Sequence, residues 1–251
     1  GSDAAAAKTK AIAQGDEYII NGSKCFISNM GQDEGDYVIL IVLTDPEKKT
    51  KGMSAIIVDR DTPGFTVPKT EDKMGLRAAP VSELYFDECH VPKSQLLGEE
   101  GKGFAIAMAG LDGGRIGMAS QAVGLAESCI AESVEYSTQR VQFGKPVNAN
   151  QGLQWYLADM ATKTEAAKAL TLNAAALRQA GKNITKEEAM AKYYASETAV
   201  EVVNKALQIH GGYGYMKEYA IERQYRDARI IPIYEGTSEV QKMVISRAVI
   251  N

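Results

Sequence analysis

The sequence predicts an α+β chain of two domains, a small antiparallel β-sandwich or barrel domain followed by an antiparallel four-helix bundle. Short apolar runs separated by turn residues fill the N-terminal region. In the remainder, apolar residues recur at helical spacing. Pro92 and the run Gly98-Glu99-Glu100-Gly101-Lys102-Gly103 separate the two patterns, which sets the domains at 1–97 and 98–251.

The first strand pair is read at Tyr18-Ile19-Ile20. Asn21-Gly22 follows as a hairpin turn, and the chain returns through Lys24-Cys25-Phe26-Ile27-Ser28. Tyr37 to Leu43 is a continuous apolar run, the pattern of a strand buried on both faces. Asp45 to Gly52 is a charged loop. Met53–Val58, Phe65–Val67 and Glu83–Phe86 are further strands, parted by Pro63-Gly64 and by the Met74 to Pro80 loop. Within the helical region, a first stripe carries Met118, Ala122, Leu125 and Cys129. A second carries Leu153, Leu157, Met160, Ala167 and Leu170, and a third Tyr193, Ser196, Val200, Val203 and Leu207. Breaks fall at Phe143-Gly144-Lys145-Pro146, Gly181-Lys182-Asn183 and Gly211-Gly212-Tyr213-Gly214, and a final helix begins near Thr237.

Composition narrows the function. The 251 residues are 45% hydrophobic and 24% charged with a formal net charge of −4, as in a globular protein of ample core. Mild acidity without a Lys/Arg run argues against nucleic-acid binding, and no apolar stretch is long enough to span a membrane. Gly1-Ser2-Asp3-Ala4 is neither signal nor transit peptide, and without an initiator methionine the chain reads as a fragment. Cys25, Cys89 and Cys129 are odd in number and far apart, which suits packing residues in a reducing compartment. With His90 and His210 as the two histidines, no metal centre is expected.

The stretch with most chemical content is Ile233-Tyr234-Glu235-Gly236-Thr237-Ser238-Glu239-Val240-Gln241. Thr237 and Ser238 are N-cap residues for a helix carrying Val240, Met243, Val244 and Arg247. Glu235 there is either an acid favoured by the helix dipole or a carboxylate aimed into a cleft. Phe26 and Ser28 alternate with Cys25 and Ile27, so in a regular strand they share a face. Asp112 and Arg115, three apart on a helix, read as a surface charge pair. Arg140 to Pro146 reads as a helix C-terminus closed by Gly144 and Pro146.

Ten segments in order resemble the acyl-CoA dehydrogenase family: GSDA, NGSKCFISN, KMGLR, LGEEGKGF, LDGGRIG, RVQFGKPV, LADMATK, QIHGGYGY, RDARI and IYEGTSEVQ. The resemblance covers residues 1 to 251 and corresponds to the family's middle and C-terminal domains, without its N-terminal helical domain. It implies an FAD-dependent α,β-dehydrogenation of an acyl-CoA thioester to the trans-2-enoyl-CoA, with short acyl chains suggested by likeness to butyryl-CoA dehydrogenases. Glu235 corresponds to the base that takes the α-proton while hydride leaves the β-carbon for flavin N5. In some relatives the base lies instead one residue before the arginine of LDGGRIG. Here that residue is Gly114, which favours Glu235 and the short- or medium-chain type over the isovaleryl or long-chain type.

The same resemblance implies cofactor contacts from Phe26, Ser28, Arg140, Gln142, Phe143, Gln208, Gly211, Gly212 and Thr237, those at Arg140 to Phe143 and Gln208 to Gly212 reaching the FAD of a neighbouring subunit. Ser2, Asp112, Arg115, Tyr234 and Gly236 correspond to substrate contacts. A homotetramer, or at least a dimer, and an electron-transferring flavoprotein as acceptor follow from the same likeness, and a reducing compartment fits the bacterial cytoplasm or the mitochondrial matrix. Ala78-Ala79-Pro80 departs from the Ser/Thr-rich run of the family. Two other readings stand beside this one: an acyl-CoA oxidase-like flavoenzyme, and a truncated, non-catalytic oligomerising module.

Overall fold

The computed structural model describes residues 1–250. The chain divides into two compact units, Asp3–Gly110 and the residues from Leu111 onward.

The first unit holds β1 (Lys10–Gln14), β2 (Glu17–Ser28), β3 (Tyr37–Leu43), β4 (Met53–Asp59), β5 (Phe65–Thr66), β6 (Val81–Pro92) and β7 (Leu96–Leu97). They form a single sheet in the order β5-β6-β2-β1-β3-β4-β7, whose two ends stay open, so no barrel closes. All neighbours are antiparallel except β1 and β3, which run parallel and meet at Lys10 and Leu43. The core is built from Tyr18, Ile20, Leu40, Val42, Ile56, Val58, Leu84 and Val91. Phe65 stacks on Phe86 at 4.8 Å between ring centroids.

Two expectations are corrected here. The hairpin turns at Gly15-Asp16, where Gln14 pairs with Glu17, and Asn21-Gly22 lies inside β2. The pairing with β6 slips between Ile20 and Gly22, and Gly22 (φ +140) lies so near the approach to β1 that a Cβ there would stand 2.9 Å from Thr9 Cα. Asn21 donates to Glu88 Oε1 at 2.7 Å and accepts the Glu88 N–H at 2.8 Å. The dipeptide therefore serves a β-bulge, which uses the same backbone freedom as a turn. The second correction concerns β3: Leu40 and Val42 are buried, but Tyr37 and Ile39 are exposed, so it is dry on one face. The strand buried on both faces is β4, with Met53, Ala55, Ile56 and Val58 all at 0% exposure.

The helical region that follows holds α1 (Gly103–Gln139), a ribbon of β8 (Val141–Gln142) and β9 (Lys145–Pro146), α2 (Gln151–Gln179), α3 (Thr185–His210), α4 (Ala220–Ala228) and α5 (Ser238–Ile250). Contacts give the directions. Lys163 meets Glu201 and Asp159 meets Lys205, so α2 and α3 are antiparallel. Glu127 meets Lys168 and Gly113 lies by Arg178, so α1 and α2 are antiparallel too. The seam is rich in alanine: Ala119, Ala122, Ala167, Ala174, Ala191, Ala195 and Ala199 form one buried cluster. Small side chains there let the helices approach closely. The buried stripe on α3 is consequently offset from the aromatic and aliphatic one, since Tyr193, Val200 and Leu207 are only half-buried. Helix α4 has no counterpart among the expected elements, because its sequence is mostly polar and only Ile221 and Ala228 are buried. No helix among the described residues is long and apolar enough to cross a membrane.

Packing predicts an asymmetric response in the sheet. Ile56→Ala, at a fully buried position, should lower unfolding free energy by about 2–5 kcal/mol. Ile39→Ala, on the open face of β3, should cost less than about 1 kcal/mol. Denaturant midpoints of the two variants check both values.

Candidate active site

The turn entering α5 has an unusual backbone. Glu235 has φ +54 and Gly236 φ +87. A non-glycine residue in the left-handed region costs about 1–2 kcal/mol, so the surroundings must enforce it. They do so on both sides. The Ser238 N–H donates to Pro232 O at 2.9 Å, and Thr237 Oγ1 caps the helix by accepting the Val240 N–H at 3.3 Å. Gln241 donates to Glu235 O at 3.1 Å and to Gly236 O at 3.0 Å. Lys192 Nζ donates to Gly236 O at 2.7 Å. Among the described residues, the Glu235 N–H donates to no protein acceptor.

The Glu235 carboxylate lies over α1 at Gly114. A Cβ at that position would stand 2.7 Å from Glu235 Oε2, so the carboxylate occupies the space a side chain would fill. Tyr234 precedes it half-buried, with its hydroxyl hydrogen-bonded to Gln121 Oε1. Burial pushes the Tyr234 phenol up from its ordinary value.

Behind this turn is a layer of buried charge. Arg115 Nη1 stands 3.3 Å from Asp112 Oδ1 and 2.7 Å from Glu188 Oε1. The expected spacing of three holds, but only the Asp112 end of the pair reaches solvent, since Arg115 is buried against the fully buried Glu188. Burial pushes the Glu188 carboxyl up to about 7, against the pull of the Arg115 guanidinium. Burial likewise brings Lys192 down to about 8, against the attraction of Glu235.

A second group of expected site residues gathers elsewhere on the helical unit. Arg140, Gln142, Gly211 and Gly212 line a cavity of about 420 Å³ together with Tyr136 and Tyr213. The Arg140 guanidinium lies over the Tyr213 ring at 5.1 Å, and His210 stacks on Tyr136 at 4.3 Å. Gln208 is exposed and is absent from the lining, although its carbonyl accepts the Gly211 N–H that ends α3. Phe143 also stands apart, 96% exposed at the tip of the β8–β9 ribbon. Phe143 (φ +52) and Gly144 (φ +76) make a two-residue hairpin turn of the type with both φ positive. The segment is thus a projecting finger; α1 has already ended at Gln139, which replaces the helix-stop reading of Gly144.

In the sheet unit, Phe26 is 80% exposed with φ +56, at a point where the β2–β6 pairing slips between Lys24 and Ile27. Strict alternation fails across such a bulge, so the argument that placed Phe26 and Ser28 on one face does not hold. Ser28 and Ser2 are both exposed. Cys89 and Cys129 are buried packing residues with thiols pushed up to about 11 and about 12 by burial, whereas Cys25 is exposed and packs nothing.

Sequence reasoning missed Glu188, Lys192 and Gln241. The first two share the buried face of α3 with Ala189, Ala195 and Ala199, and a charge in such an alanine stripe is the signal that was available. Gln241 lies on α5 four residues after Thr237 and gave no such sign.

Residues 101–250 match the acyl-CoA dehydrogenase C-terminal domain, and residues 1–89 match the middle domain. The chain belongs to the acyl-CoA dehydrogenase family. The acryloyl-CoA reductase (NADH) of Anaerotignum propionicum is 58% identical over 251 residues, covering 99% of this chain and 63% of that protein. The solved butyryl-CoA dehydrogenase of Megasphaera elsdenii matches with a TM-score of 0.96 and 49% identity, covering 100% of this chain and 65% of that one. A chain in the solved electron transferring flavoprotein of Acidaminococcus fermentans, a study of flavin-based electron bifurcation, matches with a TM-score of 0.97 and 49% identity over 100% and 66%. The chain thus spans about two-thirds, 63% to 66%, of the proteins it matches.

The buried acid has a consequence for stability. The folded state holds the Glu188 proton up to about pH 7, above the ordinary carboxylate value of 4.5, so it binds more protons than the unfolded chain between those values. Stability should therefore fall as pH rises through this window and level off above it. Thermal melts of wild type and Glu188→Gln between pH 4.5 and 8 should show that slope only in the wild type.

Proposed function

We propose that the parent protein of this chain is an FAD-dependent acyl-CoA dehydrogenase acting on short acyl chains, with Glu235 as the base. One observation carries the reading: a carboxylate on a strained turn, seated over Gly114, beside a backbone N–H that no protein group uses. An α-proton of a thioester is weakly acidic, so its removal needs a held base and a hydrogen bond to the thioester oxygen where negative charge grows. Glu235 would supply both, the carboxylate taking the α-proton and the N–H meeting the oxygen. Tyr234 and Gly236 would line the acyl end, and Ser2, Asp112 and Arg115 would stand by the CoA moiety, Arg115 acting through its buried pair.

The cavity at Arg140 suits a diphosphate-bearing dinucleotide. It presents one cation, and at Gly211 and Gly212 open space where side chains would otherwise project. Bound FAD supplies a two-electron acceptor for the hydride that leaves the β-carbon. Phe26 and Ser28 would contact its ring, and Arg140, Gln142, Phe143, Gln208, Gly211 and Gly212 its diphosphate and adenosine portions, with Thr237 beside it. The exposed finger at Phe143 supports contribution of these groups in trans, hence a homotetramer. An electron-transferring flavoprotein is the proposed acceptor, supported by the likeness to the Acidaminococcus fermentans chain.

A second reading is favoured by the 58% identity to an acryloyl-CoA reductase. The same groups would then work in reverse, Glu235 returning a proton to the α-carbon of a 2-enoyl-CoA.

Anaerobic addition of butyryl-CoA to the flavin-loaded protein should bleach the flavin bands. Glu235→Gln should slow that bleaching by about 10³-fold or more. Bleaching at the wild-type rate in this variant refutes the assignment of the base, and no bleaching with any acyl-CoA refutes dehydrogenation. Turnover with oxygen and peroxide release would indicate an oxidase. Arg140→Gln and Phe143→Ala should each lower flavin occupancy on gel filtration, with Arg140→Gln the more severe because it removes a charge-assisted contact worth about 1.5–3 kcal/mol.

A further inference from the structure

We propose that Lys192 and Gln241 are positioning residues for Glu235, clamping the two carbonyls of the Glu235–Gly236 turn. The inference rests on the reading of Glu235 as the base.

Both clamp residues are fully buried, and they come from different helices, Lys192 from α3 and Gln241 from α5. Lys192 reaches Gly236 O at 2.7 Å, and Gln241 reaches Glu235 O at 3.1 Å and Gly236 O at 3.0 Å. Peptide groups are rigid planes, so fixing two successive carbonyl directions fixes the dihedrals between them. Those dihedrals belong to Gly236 (φ +87), so the clamp holds the peptide that follows Glu235, whose carboxylate is seated over Gly114. The clamp adds to the Ser238–Pro232 hydrogen bond and the Thr237 cap in holding a conformation that costs energy at Glu235.

Lys192 is also a poor choice for packing alone. A buried ammonium is costly, and an apolar side chain of equal volume would fill the site more favourably. Its ammonium is held among like-signed and opposite charges: Glu235, Glu197 and Glu239 attract it, and Arg115 opposes it.

The test uses the intact flavin-loaded enzyme that contains this chain. Lys192→Met should slow flavin reduction by butyryl-CoA about 100-fold, and Gln241→Met about 10-fold, as expected when a base is displaced rather than removed. Affinity for a non-reactive CoA thioether should change less than about 3-fold. Wild-type reduction should also decline above about pH 8 as the buried ammonium loses its proton, and Lys192→Met should lack that limb. Hydrogen exchange supplies a readout independent of activity: residues 233–237 should exchange faster in Lys192→Met while α2 and α3 stay protected. Wild-type rates and exchange in both variants would overturn the clamp. So would a joint loss of melting temperature, thioether affinity and helix protection, which would mark Lys192 as structural. A wild-type enzyme inert toward every acyl-CoA would instead overturn the reading of Glu235, and this inference with it.

Discussion

The helical unit depends on the need to satisfy charges that its helices have taken out of water. Arg115, Glu188 and Lys192 are all buried, and an ion without partners in that environment costs several kcal/mol. Arg115 on α1 must meet Glu188 on α3, and Lys192 one turn further must meet a carbonyl of the turn before α5. These requirements fix the register of three segments relative to one another. Alanine at most other seam positions makes close approach possible, and the charges decide at which step the helices stop.

Strain is the second theme. Seven non-glycine residues among those described have positive φ, and three of them, Phe26, Phe143 and Glu235, are among the expected site residues. Each is held by a different device: a bulge between β2 and β6, a two-residue hairpin, and a hydrogen-bonded clamp. The shared result is a side chain presented in a direction that regular structure does not offer. For the two phenylalanines that direction is outward, at 80% and 96% exposure. Such large apolar surfaces left in water are suited to meeting another molecule.

The two units are built differently. The main core of the open seven-stranded sheet gathers Leu40, Val42 and Ile56. Tyr37 and Ile39 stand open to solvent. The helical unit carries the Glu235 turn and the Arg140 cavity at separate places. The Glu235 turn and the Phe143 finger lie at breaks between helices, where the backbone is free to leave helical geometry.

The sequence by itself determined the succession of strands and then helices, the breaks at Gly144, Gly181 and Gly211, and the N-cap at Thr237. These follow from periodicity and from the backbone chemistry of single residues, which act locally. It also singled out Glu235, through ten motifs in order. Only the tertiary structure decided that Asn21-Gly22 makes a bulge, because a turn and a bulge ask the same of a glycine and only the neighbouring strand distinguishes them. It alone placed Phe143 on a finger and Gln208 outside the cavity. It alone brought Lys192 and Gln241, 49 residues apart in the chain by subtraction of their numbers, onto the one Gly236 carbonyl. Such pairings depend on helix register, and register is set by packing across the whole unit, which no local pattern encodes.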